Sequence, residues 1–164
     1  MMITDEIRNQ MTEIIKSKAI KAVFQPIVTL KNGSVFGYEA FSRITLKKCS
    51  FNISDAFDIA REMKCLLAFE LLCRKLSVKM AVDKPQNTKL FLNLDPDIVL
   101  DPEFRSGITV EKLEKKEINY GDIIFEAAES WAVSDIELFK SALKKYRGQG
   151  YGVAVSNVCS GYSG

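Results

Sequence analysis

Apolar residues recur with two different periods along the chain, and these periods predict the order of its secondary-structure elements. Near the N-terminus, one face of a helix that Thr4 can cap collects the apolar residues Ile3, Ile7, Met11, Ile14 and Ile15. Two β-prone runs follow at residues 20–30 and 35–44, and the Asn32-Gly33 turn between them predicts an antiparallel hairpin.

After this hairpin, the pattern alternates between helices and strands. We predict a helical region at residues 54–80 with a break near Lys64, a helix at residues 109–116, and a last helix whose N-cap is Ser134. The predicted strands between and after these helices span residues 89–94, 122–126 and 151–155. Such alternation favours a mainly parallel sheet in an α/β fold.

The composition excludes several kinds of chemistry. The 164 residues contain no histidine, which excludes Ser-His-Asp triads, His-ligated zinc and a phospho-accepting histidine. The net charge of +2 is too small to indicate nucleic-acid binding. The sequence has no secretory segment, no apolar run near the roughly 20 residues that span a bilayer, and no CxxC pair among its cysteines. We therefore expect a cytoplasmic protein without membrane attachment.

Three predicted strands carry an oxygen-bearing side chain at or near their C-terminal ends, and these residues are Glu39, Asn93 and Glu126. In α/β sheets, ligands bind at this end of the strands, because the strand ends converge on one rim. Two carboxylates and a carboxamide suit a hard divalent cation such as Mg²⁺, Mn²⁺ or Ca²⁺. Simpler interpretations stay open, since Asn93 could begin an Asx-turn and Glu39 could pair with Arg43 on the same strand face.

Five segments, in their order and spacing, give the chain a resemblance to EAL-domain proteins, the bacterial cyclic di-GMP phosphodiesterases and their degenerate relatives. The segments are FQPIV at residues 24–28, GYEAFSR at 37–43, LFLNLDP at 90–96, FEAAES at 125–130 and GYS at 161–163. The resemblance covers residues 21–164 and implies a TIM-like barrel with an antiparallel first strand. A complete (β/α)₈ barrel takes about 250 residues.

We therefore predict a partial TIM-like barrel, incomplete at the C-terminus, in a single domain over residues 1–164. In this domain, residues 1–19 form an N-terminal helix, and residues 20–164 contain about five barrel strands. Because so few strands cannot close a barrel, we expect an inner face that includes Phe91, Leu92, Ile124 and Val153 to be left open. A homo-oligomer or another protein partner is expected to cover it.

The same resemblance implies roles for individual residues. The residues that it implies as metal ligands are Glu39, Asn93 and Glu126. It implies that Arg43 holds a phosphate of the dinucleotide, a role suited to a fork of N–H donors, and that Gln25 lies beside the ligand. Asp95 replaces a serine near the nucleotide, and Glu129 matches a glutamate that supports a loop near the metals.

The chain departs from the family where two metal-binding aspartates are expected, because Ser156 and Asn157 occupy their places. The family's catalytic lysine and a later glutamate would lie beyond Gly164. The formal charge of the ligand cluster falls from −4 to −2, which is too little to offset the repulsion between two divalent cations. We expect a vestigial catalytic site, formed by Glu39, Ser156 and Asn157, without phosphodiester hydrolysis. In a simpler interpretation, Ser156 and Asn157 form a turn after the last strand, and they bind no metal in that case either.

Three functions stay open on these grounds. The first is a degenerate EAL-like module in cyclic di-GMP signalling, which senses the nucleotide by weak binding or acts through protein–protein interaction. The second is a fragment of a metal-dependent phosphodiesterase that converts cyclic di-GMP to linear pGpG. The third is a structural interaction domain without nucleotide affinity.

Overall fold

The sheet that positions the rest of the molecule has five strands, which follow one another in chain order. The computed structural model describes residues 2–95, 98, 118–130 and 135–158. The strands are β1 (Ile20–Val28), β2 (Val35–Ile44), β3 (Lys89–Asn93), β4 (Ile123–Ala128) and β5 (Gly152–Ser156). β1 is antiparallel to β2, and the other neighbouring strands are parallel. The predicted α/β fold, a partial barrel with an antiparallel first strand, is confirmed, and in the described residues the sheet does not close.

Helices pack against this sheet, and those whose ends lie in the described residues agree with the periodicity. They are α1 (Asp5–Ser17), α2 (Ile53–Glu62), α3 (Leu66–Met80) and α4 (Ile136–Gly148). As predicted, the Thr4 hydroxyl caps α1 by accepting from the Ile7 N–H at 3.3 Å. The predicted break between α2 and α3 is also present at Lys64, where φ is +55°. The predicted helix at residues 109–116 lies outside the described residues.

The N-cap of α4 is Asp135, so the prediction of Ser134 was wrong by one position. The Asp135 carboxylate accepts from the Leu138 N–H at 2.9 Å, and the helix begins at Ile136. Both serine and aspartate are favoured N-caps, but the carboxylate also interacts with the positive end of the helix dipole. Ser134 itself lies outside the described residues.

The β1–β2 hairpin has the turn that the sequence predicts. Asn32 Oδ1 accepts from the Ser34 N–H at 3.1 Å. Gly33 has a φ of +70°, which glycine adopts without a Cβ clash. The antiparallel register that follows sets Gln25 of β1 opposite Glu39 of β2. The predicted hairpin is therefore confirmed, and it fixes which β1 residue faces the acidic residue of β2.

Side chains alternate between the two faces of the sheet, and helices cover one of these faces in the described residues. The core on the helix-covered face contains Ala40, Leu90, Leu92, Ile123, Phe125, Ala127, Ala142 and Tyr146. Val153 packs against the same core. Our expectation that Leu92 and Val153 line the inner face was therefore wrong. Adjacent strand residues point to opposite faces, so Leu92 cannot share a face with Phe91.

Phe91 and Ile124 lie on the inner face, but Phe91 is only 7% exposed. Its ring centre is 6.0 Å from that of Phe36. The approach of β2 to β3 depends on Gly37, where a Cβ would lie 2.8 Å from Phe91 Cε2 and 2.7 Å from the Lys89 carbonyl oxygen. The inner face is thus partly closed by its own aromatic residues, which corrects the expectation that Phe91 meets water.

A second core joins the N-terminal helix to the barrel-like sheet. Its buried members from α1, α2 and α3 include Met11, Ile14, Ile59, Phe69 and Cys73. Cys73 is 4% exposed and behaves as the small core residue that the sequence predicts, whereas Cys65 is only half-buried. Within the described parts of the chain, no helix is long and apolar enough to cross a membrane.

We expect Gly37→Ala to destabilise the fold by about 1–3 kcal/mol, because the added Cβ overlaps a backbone carbonyl that cannot move without disturbing the β2–β3 ladder. Urea denaturation followed by circular dichroism measures this loss. Gly148→Ala, at the end of α4, is the matched control, because a Cβ there meets nothing within 4 Å. A Gly37→Ala variant as stable as the control would contradict the close packing of β2 on β3.

Candidate functional site

The carboxyl ends of β2, β3 and β4 bring Glu39, Asn93 and Glu126 together. Asn93 and Glu126 are direct partners in the parallel register of β3 and β4. The Asn93 side-chain amide Nδ2 donates to Glu39 Oε1 at 3.1 Å. The Leu94 N–H donates to the Glu126 carbonyl oxygen at 2.8 Å, which keeps the two strand ends side by side. The three residues are thus neighbours, and their role as metal ligands stays a prediction.

Glu126 has the most perturbed acidity of this cluster. Burial and, to a smaller extent, the nearby charge of Glu39 raise the pKa of Glu126 to about 7. Its Oε2 atom is buried and has no hydrogen-bond partner among the described residues. An ionised carboxylate without a donor is unfavourable when it is shielded from water. The arrangement therefore favours either a proton or a cation at this oxygen.

The unpartnered oxygen of Glu126 provides a test of whether a divalent cation fits this site. Two carboxylates and an amide oxygen are donors that Mg²⁺, Mn²⁺ and Ca²⁺ accept, with water completing the coordination. In the described part of the chain, however, no group of three or more Asp, Glu or Cys side chains could hold a metal ion. The donor types of Glu39, Asn93 and Glu126 fit a hard divalent cation.

β5 brings a neutral side chain to the neighbouring position on this rim. In the β4–β5 register, Glu126 pairs with Ala154 and Ala128 pairs with Ser156. Strand alternation sets Ser156 on the same face as Glu126, two residues closer to the carboxyl end. Asn157 then turns the chain with a φ of +57°, as in the simpler interpretation of this segment as a turn. Neither residue adds a negative charge to the rim.

The residues predicted to contact a nucleotide lie around the same rim in different environments. Gln25 is exposed opposite Glu39. Arg43 is exposed near the end of β2, where its guanidinium donates to the Ser42 carbonyl oxygen at 2.8 Å and lies 5.7 Å from the centre of the Phe41 ring. An exposed guanidinium in this position can reach an anionic ligand.

Asp95 and Glu129 lie at the carboxyl ends of β3 and β4. The Asp95 carboxylate accepts from Arg61 of α2 at 2.9 Å, and its side chain is 16% exposed. Glu129, directly after β4, is half-buried and helical, three residues beyond Glu126. The structure therefore ties Asp95 to a helix as well as to the rim.

Two charged features beside the site are not among the predictions from the sequence. Arg61 has its partner Asp95 34 residues away, a separation that no local pattern reveals. Glu70 and Arg74 form an ion pair inside α3, and both side chains are nearly inaccessible. The only sequence signal for that pair is its i, i+4 spacing, which is also typical of an exposed helix face.

The buried Glu70–Arg74 pair supports the sheet from behind. The Arg74 guanidinium lies 4.9 Å from the centre of the Phe125 ring in β4. Burial alone would lower the pKa of Arg74, but the Glu70 carboxylate and the Tyr146 hydroxyl outweigh it and raise that pKa. Arg74 thus stays charged beneath the strand that carries Glu126.

The profile of one protein family, the EAL domain, matches residues 6–164. The chain belongs to the EAL domain family. The family assignment predicted from the five sequence segments is therefore confirmed. A comparison with curated protein sequences found no match.

Solved EAL structures share the fold at low sequence identity. The FimX EAL domain from Pseudomonas aeruginosa, bound to c-di-GMP, has a TM-score of 0.75 and 19% identity, over 93% of this chain and 62% of that chain. Klebsiella pneumoniae BlrP1, in a manganese and cyclic di-GMP complex, has a TM-score of 0.73 and 22% identity, over 89% of this chain and 36% of that chain. The chain therefore spans less than two thirds of either relative.

We expect Glu126→Gln to remove a pH dependence of stability. Because the folded-state pKa of Glu126 is raised to about 7 from 4.5, the wild-type fold loses stability as pH rises from about 4.5 to 7. Urea denaturation between pH 4.5 and 8 should show a shallower decline for the variant. Glu137→Gln, on the exposed side of α4, is the control that should keep the wild-type profile. Parallel profiles for Glu126→Gln and wild type would contradict the burial of this carboxyl group.

Proposed function

We propose that this EAL domain binds cyclic di-GMP without hydrolysing it, and that it acts in signalling as a nucleotide sensor or through a protein partner. The observation that carries the proposal is the charge of the rim. Among the predicted metal ligands, Glu39 and Glu126 are the carboxylates, and β5 contributes the neutral Ser156 beside them. Two-metal hydrolysis needs anionic ligands that offset the repulsion between the two cations. The carboxylates of Glu39 and Glu126 supply enough negative charge for one cation.

Binding itself requires less of the site than hydrolysis does. Glu39, Asn93 and Glu126 would hold a single Mg²⁺, Mn²⁺ or Ca²⁺ ion, which when bound would offset the charge of a phosphodiester oxygen. Arg43 would donate to a phosphate, because its guanidinium is exposed and carries several N–H groups in a planar fork. Gln25 lies across from Glu39 and would contact the ligand from β1.

The open sheet supports a second element of the proposal, a protein partner or a second copy of the chain. Phe36 of β2, which packs beside Phe91, is 43% exposed, and Val155 of β5, the last strand of the described sheet, is 44% exposed. Apolar side chains beside unpaired strand edges favour association. Light scattering should detect an oligomer or, in the presence of the partner, a complex. A stable monomer that captures no partner would contradict this element.

Calorimetry with cyclic di-GMP and Mg²⁺, Mn²⁺ or Ca²⁺ tests nucleotide binding by the wild-type chain. We expect saturable binding that Arg43→Gln weakens about 10- to 150-fold, because a charge-assisted hydrogen bond to phosphate contributes about 1.5–3 kcal/mol. Lys140→Gln is the control with the same change in net charge, on the exposed side of α4.

A turnover assay tests the alternative, a metal-dependent phosphodiesterase. We expect no linear pGpG from wild type, and none from a variant that combines Ser156→Asp with Asn157→Asp. Formation of pGpG by the wild-type chain would overturn the non-hydrolytic proposal in favour of the enzyme. Absence of nucleotide binding under all three metals would overturn both and leave the interaction domain.

A further inference from the structure

The chain immediately after β3 is held by contacts to three different elements. The Asn93 amide donates to Glu39 of β2 at 3.1 Å. The Leu94 N–H donates to the backbone of β4 at 2.8 Å. The Asp95 carboxylate then accepts from Arg61 of α2 at 2.9 Å. Among these contacts, the Arg61–Asp95 pair alone joins two opposite charges.

Arg61 binds two carboxylates, and they differ in exposure. Its NH1 atom bonds Asp58 at 2.9 Å, and the Asp58 side chain is 71% exposed. Its NH2 atom bonds Asp95 at 2.9 Å, and the Asp95 side chain is 16% exposed. Water screens the exposed pair, so that pair contributes little. The charge of Asp95 has much less access to water and depends more on Arg61.

Asp95 borders the part of the rim where an anionic ligand would meet Arg43. Glu39 of β2 pairs with Phe91 of β3 in the parallel register. Arg43 lies four residues after Glu39, and Asp95 lies four residues after Phe91, so the two residues are at a similar level along their neighbouring chain segments. A carboxylate here without its counter-charge would repel a ligand that carries two phosphodiester groups.

We propose that Arg61 is a positioning and specificity residue, which neutralises Asp95 at the rim and thereby makes this site compatible with a doubly anionic cyclic dinucleotide. This inference rests on the proposed function, since it concerns the ligand of the same site. Arg61 acts through Asp95 and does not itself contact the nucleotide. Asp95 accordingly contributes a neutralised carboxylate to the border of the nucleotide site.

Calorimetric titration with cyclic di-GMP at low ionic strength separates this role from simple support of the fold. Arg61→Gln should weaken binding about fivefold, because it removes the positive charge of Arg61 from beside the Asp95 carboxylate. The double variant Arg61→Gln with Asp95→Asn should bind within about twofold of wild type. The defect of Arg61→Gln should also shrink at 1 M salt, where the Debye length is about 3 Å.

A cation–carboxylate pair at the other end of β3 supplies a matched control. Lys89 bonds Asp122 at 2.9 Å, with side-chain exposures of 31% and 24%. Lys89→Gln changes the net charge by the same amount as Arg61→Gln but lies at the amino end of the strand. It should leave nucleotide affinity unchanged. An equal loss of nucleotide affinity in Arg61→Gln and Lys89→Gln would overturn the proposal, because the change in net charge alone would then explain the effect.

Hydrogen exchange in the absence of nucleotide reports on the pair independently. Arg61→Gln and Asp95→Asn should each speed exchange at the Leu94 N–H, and the double variant should speed it no further. Unchanged exchange in both single variants would overturn the pairing.

If wild type binds nucleotide but the double variant binds as weakly as Arg61→Gln, the neutralisation of Asp95 by Arg61 is wrong and the proposed function stands. The exchange results can support the Arg61–Asp95 pair while the wild-type chain binds no nucleotide. In that case the proposed function fails, and this role of Arg61 fails with it.

Discussion

The burial of a carboxylate at one sheet edge, beside a second carboxylate, is the constraint on which this site depends. Parallel strands bring Glu39 and Glu126 to the same rim, where the Asn93 amide donates to Glu39. Burial keeps the pKa of Glu126 near 7, so its negative charge is not fully developed at neutral pH without a cation. Under the proposed function, Glu39 and Glu126 hold one divalent ion and do not carry the negative charge that two ions require.

Two ion pairs lie near this rim, one at its border and one buried beneath the sheet. Arg61 neutralises Asp95 beside the end of β3. Beneath the sheet, the buried Glu70–Arg74 pair lies against Phe125, one residue before Glu126. Buried pairs of this kind are unfavourable when one partner is removed, so they constrain the sequence near the site. The EAL fold alone does not decide between hydrolysis and binding, because function depends on the residues of the site and not on the fold.

Much of the fold could be predicted, because its signals are local. Asn32-Gly33 specifies a tight turn, and the alternation of helix and strand specifies a parallel sheet after the hairpin. The meeting of Glu39, Asn93 and Glu126 follows from their shared location at strand ends. By contrast, the run Leu90-Phe91-Leu92 has no period that shows which member faces the helices, so Leu92 was assigned to the wrong face. The pairing of Arg61 with Asp95 depends on how α2 packs beside β3, which no local pattern contains.

The number of divalent ions at the rim tests the central claim most directly. Electron paramagnetic resonance of Mn²⁺ titrated into the chain with cyclic di-GMP distinguishes an isolated ion from a spin-coupled pair. We expect at most one bound Mn²⁺ per chain, with the spectrum of an isolated ion, and we expect Glu126→Gln to abolish or weaken that spectrum. A stoichiometry of two, with the coupled spectrum of ions a few ångströms apart, would contradict it.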